Sequence, residues 1–151
     1  KDTTFFHDNV SNYIKWIGQI FILFLPRFLP FMLLAHMCLI ITRGLFINLT
    51  QLPPPDGMLP ISSFNTFGGD LFFSGHVALP FLYALVFWDI KPIRYIFLIA
   101  SALFGITTLF GRYHYSIDVF SALFIAYRIY VIASRVFTKT YLQTKTTEVV
   151  L

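Results

Sequence analysis

Apolar residues run along this chain in long stretches that are hydrophobic on every side, and short polar breaks divide them into five. Helices are predicted at 1.5 Å rise per residue, because a membrane strand would be about ten residues long and would alternate apolar and polar positions. The first stretch runs from Asn9 to Leu25 and ends at Pro26-Arg27-Phe28-Leu29-Pro30, where each proline removes a backbone donor. The second covers Pro30 to Leu49. A polar segment from Thr50 to Phe72 follows, read as a loop from its Pro53-Pro54-Pro55-Asp56-Gly57 opening and from Gly68-Gly69. The third stretch, Ser74 to Trp88, carries Pro80 in its early turns. Asp89-Ile90-Lys91-Pro92 turns the chain into the fourth, Pro92 to Phe110, and Gly111-Arg112-Tyr113 turns it into the fifth, His114 to Ala133. Residues Ser134 to Leu151 are polar and threonine-rich and are expected to be loosely ordered. The predicted fold is an all-α polytopic transmembrane helical bundle with about five visible spans. The expected division is a catalytic membrane domain over 1–135 and a polar tail over 136–151.

Composition agrees with that pattern. Apolar residues make up 57% of the 151, charged residues 12%, and phenylalanine occurs 19 times. Soluble domains carry roughly a quarter charged residues, and a soluble fold of this length has too little interior for so much apolar surface. The net charge of +4 forms no basic stripe, which argues against a nucleic-acid partner. The single cysteine, Cys38, permits no internal disulfide. The basic residues instead flank the apolar stretches. Arg27, Lys91, Arg94, Arg135, Lys139 and Lys145 fall on one face; Lys1, Lys15 and Arg112 fall on the other, with Arg43 within the membrane nearby. The positive-inside rule then makes the first face, with the tail, cytoplasmic and turns the 50–73 loop toward lumen, periplasm or cell exterior.

Chemistry concentrates on that outward side. Gly69-Asp70-Leu71-Phe72-Phe73-Ser74-Gly75-His76 opens the third helix, and Arg112-Tyr113-His114-Tyr115-Ser116-Ile117-Asp118 opens the fifth. Ionisable groups within membrane spans are expensive and are usually functional or paired. His114 and Asp118, four apart, are expected on one helix face, where the carboxylate fixes the imidazole tautomer and leaves the other nitrogen as a nucleophile or base. His76, from another helix, is placed to act as general acid and then base. Ser74-Gly75 at a helix start offers free N–H groups to phosphate oxygens.

Ser74-Gly75-His76 and His114-x-x-x-Asp118 resemble the second and third motifs of the type 2 phosphatidic acid phosphatase (PAP2) superfamily. The resemblance is nearer the sphingomyelin synthase branch, at Gly69-Asp70-x-x-Phe73-Ser74-Gly75-His76, at His114-Tyr115-Ser116-x-Asp118-Val119 and at Arg43-x6-Thr50-x-Leu52-Pro53. It spans about Phe5 to Tyr130. It implies His114 as nucleophile, Asp118 as its support, His76 as acid, and neither metal nor cofactor. The phosphatases of the superfamily carry Lys-x6-Arg-Pro upstream, Pro before Ser-Gly-His, and Ser-Arg before the second histidine. Here no lysine fits that spacing, Phe73 precedes Ser74, and Thr107-Thr108 stand in the last place. Synthases usually show six spans against the five counted here, which leaves two alternatives: a sixth is missing at the amino end, or it is absent altogether. A plant phospholipid headgroup exchanger shares Phe72-Phe73-Ser74-Gly75-His76-Val77, which leaves the substrate pair open.

The implied activity is transfer of a phosphocholine- or phosphoethanolamine-type headgroup from a phospholipid donor to a lipid acceptor, ceramide or a diacylglycerol-like alcohol. The alternatives are a lipid phosphatase or phospholipase C-like hydrolase using the same site, and a catalytically dead relative that binds or scrambles lipid. Further candidates accompany the trio. Arg43 could meet a phosphate at the site floor, snorkel, or pair with Asp70 or Asp118. Asp70 could orient His76, sense a choline-like cation, or cap a helix. Arg112 could guide headgroups or be a solvated interface residue. His36 is expected to be a packed histidine, and Tyr113 and Tyr115 interface anchors, although aromatic rings can cage a quaternary ammonium.

Overall fold

The computed structural model describes residues 25–50, 72–112 and 114–145. The expected first span, all but its last residue, lies outside the described residues, as do most of the polar loop, with Asp70, and Tyr113. The described chain forms five helices: α1 Leu29–Thr50, α2 Gly75–Val86, α3 Lys91–Phe110, α4 Ser116–Val136 and α5 Thr138–Lys145. Two prolines fall where helices tolerate them, while Pro80 lies inside α2. Pro30 lies in the first turn of α1 and Pro92 in that of α3, where the missing N–H has no helical partner to lose. Ahead of α1 the chain turns through Phe28 N–H to Leu25 O at 3.0 Å.

Three helices, α1, α3 and α4, are long and apolar enough to cross a membrane. The predicted third span needs correction. It is a helix of 12 residues, α2, about 18 Å long and too short to cross alone. The turn at Phe87 to Ile90 ends it early, with Phe87 N–H returning to Tyr83 O and Ile90 N–H to Phe87 O.

Short α2 is the centre of the bundle. It packs on α3, α4 and α1, and Val77, Ala78, Leu82 and Ala84 are sealed from outside. α4 meets its neighbours through Ala122, Ala126 and Ala133, each fully buried, a small-residue seam of the kind that lets membrane helices approach closely. Gly105 of α3 serves the same end: an added Cβ would lie 3.3 Å from Val119 Cγ1. Two polar contacts tie the middle of the bundle together. Ser101 Oγ donates to Val77 O at 3.0 Å, and His36 pairs with the Tyr83 hydroxyl at 3.0 Å, so His36 joins α1 to α2 as a half-buried, bonded histidine. The outer faces hold Leu33, Met37, Ile40 and Ile41 on α1 and Ile96, Ile99 and Leu103 on α3, all exposed. Apolar residues both inside and outside suit a lipid surrounding, since only there does an exposed apolar belt carry no cost.

The tail departs from expectation. α4 continues to Val136, and α5 carries the chain in helical form to Lys145 instead of leaving it loosely ordered. The tertiary contacts explain it. Tyr141 lies against the Phe31 ring at 5.1 Å between centroids, its hydroxyl meets that of Tyr130 at 3.2 Å, and Lys145 pairs with Asp89. Phe31 is buried and Thr144 is sealed beneath the same helix, so α5 closes the end of the bundle at which α1 and α3 begin.

Candidate active site

The last turns of α1 and α3 and the first turns of α2 and α4 share the opposite end of the bundle. There the two polar clusters meet. The Ser74 N–H donates to the Asp118 carbonyl at 3.2 Å, joining residues 44 positions apart.

His114 is not in the helix, which corrects the expected i, i+4 helical pair. Tyr115 is the residue before the first turn and is extended, with φ −73° and ψ 156°. Asp118 sits at the third helical position and reaches back, its Oδ2 accepting the Tyr115 N–H at 2.9 Å. This is the return bond of a helix cap, an acid satisfying a donor that has no helical partner. The extended entry brings His114 over the first turn, so its Nδ1 lies 3.5 Å from the same Asp118 Oδ2. Asp118 is fully buried and His114 nearly so. One carboxylate therefore starts α4 and faces the imidazole. With Nδ1 turned to the acid, Nε2 is the nitrogen left for chemistry.

His76 lies in the first turn of α2, half-buried, its ring 5.9 Å from that of Phe104 on α3. Arg43 of α1 approaches the same turn: its Nε donates to Phe73 O at 3.4 Å, and a Cβ on Gly75 would lie 3.2 Å from that Nε. Glycine at 75 is what admits the guanidinium. Ser74 Oγ is buried without a hydrogen-bond partner among the described residues. The helix-start N–H groups and the adjacent guanidinium make this corner attractive to an anion. Arg112 stands exposed in the turn between α3 and α4 with φ 52°, a left-handed conformation costly to any residue with a Cβ. Among the described residues no three His, Cys, Asp or Glu side chains gather closely enough to hold a metal ion.

The site is recessed. Arg43 is seven residues from the end of α1, about 10 Å along the axis, and Phe104 six from the end of α3, about 9 Å. The end of α3 thus rises about one turn above the corner where α2 starts, since Phe104 and Gly105 lie level with His76 and Val77. Of the residues singled out in the sequence, His114, Asp118, Ser74, Gly75 and Arg43 are linked by the contacts above, and His76 lies one residue along the same turn. The Phe104 wall was not foreseen, because nothing distinguishes that phenylalanine from the others of α3.

No curated protein and no solved structure matches the chain. Residues 68–135, the stretch that holds His76, His114 and Asp118, match the family model described as PAP2 superfamily C-terminal, a match to the superfamily and not to a branch within it.

Proposed function

We propose that the protein is a membrane phosphotransferase that moves a phosphate-linked headgroup from a phospholipid to a lipid alcohol such as ceramide, through a phosphohistidine at His114. The single observation that carries this reading is the meeting of His114 and buried Asp118 with the first turn of α2, where His76 and Arg43 also lie. In the first half, His114 Nε2 attacks phosphorus. The bond from phosphorus to the diacylglycerol oxygen breaks, and His76, as imidazolium, gives that oxygen its proton. Asp118 stabilises the positive imidazole so loaded. In the second half the acceptor hydroxyl loses its proton to His76 and attacks phosphorus, the phosphorus–nitrogen bond breaks, and His114 is restored. Arg43 and the N–H groups at the start of α2 balance the charge on the phosphoryl oxygens.

The recess supports a lipid acceptor over water. A site about one turn below the end of α3 suits a lipid alcohol that never leaves the membrane. The superfamily match supports phosphoryl chemistry, and the departures from the phosphatase motifs at Phe73 and Thr107-Thr108 support transfer over hydrolysis. The test uses purified protein with headgroup-labelled phosphatidylcholine, with and without ceramide. Label should move to ceramide, and an acid-labile labelled protein should appear that His114→Ala abolishes. Free phosphocholine released equally with or without ceramide would refute transfer and assign hydrolysis. Absence of turnover, identical in wild type and H114A, would refute both and leave a lipid-binding protein.

A further inference from the structure

Arg128 lies in the middle of α4, twelve residues after Ser116 and eight before Val136, on a helix long and apolar enough to cross a membrane. It is exposed, and its side chain makes no hydrogen bond or ion pair among the described residues. An arginine at this depth on an outer face is a cost that membrane helices rarely carry without a partner. Its position along the axis is about 12 Å inside the basic end of the bundle. Arg135 follows seven residues later, two turns along the same stripe, and is also exposed. Exposed Phe124, Tyr127 and Ile132 flank the pair. The stripe therefore joins two guanidiniums, one at the helix end and one below it, with an apolar surface suited to acyl chains.

We propose that this face of α4 binds an anionic phospholipid of the basic-side leaflet, its phosphate drawn in between Arg128 and Arg135. Charge complementarity selects the occupant. The only acidic residues among those described are Asp89, which pairs with Lys145 at the bundle's end, and Asp118, which is sealed in the active site. A second copy of the described chain thus has no acid to offer at the depth of Arg128. A phospholipid supplies a phosphate and two chains at that interface, and arginine's planar fork matches phosphate oxygens in a bidentate manner. Helical side chains lean toward the helix start, so Arg128 points away from the basic interface. A phosphate brought inward meets it where snorkelling alone serves it poorly. The site is separate from the reaction centre and does not rest on the transferase reading.

The full chain in phosphatidylcholine vesicles, with a trace of photoactivatable phosphatidylserine or photoactivatable phosphatidylcholine, tests it. The serine lipid should crosslink about fivefold more per arginine than the choline lipid, as expected for basic groups at an anionic surface, and the adducts should map to residues 124–136. Arg128→Gln removes no hydrogen bond or ion pair among the described residues. It should bring the two lipids close to parity at 124–131, and Arg128→Lys should retain part of the preference. Lys91→Gln, which removes a charge from the same end but not from the stripe, should leave the preference intact. Equal crosslinking of both lipids in wild type, an effect of K91Q as large as that of R128Q, or self-association that R128Q abolishes while crosslinking is unchanged would each overturn the proposal.

Discussion

Gly75→Ala tests how the corner between α1 and α2 is built. The new Cβ would stand 3.2 Å from Arg43 Nε and 3.4 Å from its Cδ and Cζ, so the guanidinium must move by a few tenths of an ångström. Its bond to Phe73 O is already 3.4 Å long and would not survive that shift. Two effects on stability oppose each other. Alanine favours a helix over glycine by up to ~1 kcal/mol, and loss of a hydrogen bond costs about the same. The melting temperature should therefore stay within a few degrees of wild type. Activity should not. A charge-assisted hydrogen bond to a phosphoryl oxygen is worth about 1.5–3 kcal/mol, so displacing Arg43 should lower kcat/KM by roughly 10- to 150-fold. A double-mutant cycle identifies the cause. With Arg43→Gln in place, Gly75→Ala should cost little more, giving a coupling of at least ~1 kcal/mol. The assay is initial-rate transfer of labelled headgroup in mixed micelles, with thermal unfolding measured on the same samples. Near-wild-type kcat/KM in G75A, or additive losses in the double variant, would refute the reasoning.

Asp118→Asn retains an oxygen for the Tyr115 N–H but removes the charge facing His114, so melting should change little while kcat falls by roughly 10²- to 10⁴-fold, the range for an acid that orients a catalytic histidine. Asp118→Ala should lose activity and also about 1–2 kcal/mol of stability, because the cap is gone; equal melting of the two variants would contradict the capping geometry. Arg112→Gly relieves a left-handed residue and should raise stability by about 1 kcal/mol, with KM for the phospholipid donor rising if the guanidinium meets headgroups; a lower melting temperature would show that the arginine's own contacts outweigh its backbone strain. Lys145→Ala breaks an ion pair whose side chains are 33% and 38% exposed. Such pairs contribute about 0–1 kcal/mol, so a small drop in melting temperature with unchanged transfer is expected, and a large loss of activity would tie the closing helix to the site.

Much of the fold was legible because membrane helices announce themselves by apolar length. α1, α3 and α4 fall within a few residues of the stretches read from the pattern. The failures share a physical origin. α5 is polar and threonine-rich, and its helix is held by Phe31, Tyr130 and Asp89, partners that lie far away in sequence. His114 was placed at the start of the helix because a four-residue spacing reads as helical, whereas the helix begins two residues later at Ser116. Asp118 instead spends its carboxylate on the Tyr115 N–H and starts the helix after the histidine. A third-position acid before an apolar run is a capping signal, so the sequence held that information in a form masked by the tyrosine at the cap.

The third span bears on the chemistry. Read as a crossing from Ser74 to Trp88, the third stretch places His76 about one turn inside the outward boundary of the membrane. As a helix of 12 residues, α2 ends early at Val86, while its start keeps that depth, about one turn below the end of α3, with His76 against Phe104 and Ser74 bonded to Asp118. The apolar pattern could not reveal this, because Val86, Phe87 and Trp88 continue it past the point where the turn begins. A histidine level with the helix ends would stand in water, and a phosphoryl group loaded there would hydrolyse. We propose that one held below the end of α3, against Phe104, meets a lipid alcohol in preference to water. The depth at which α2 starts, fixed by His76 against Phe104 and Ser74 bonded to Asp118, is therefore the feature on which the proposed choice between water and a lipid alcohol turns.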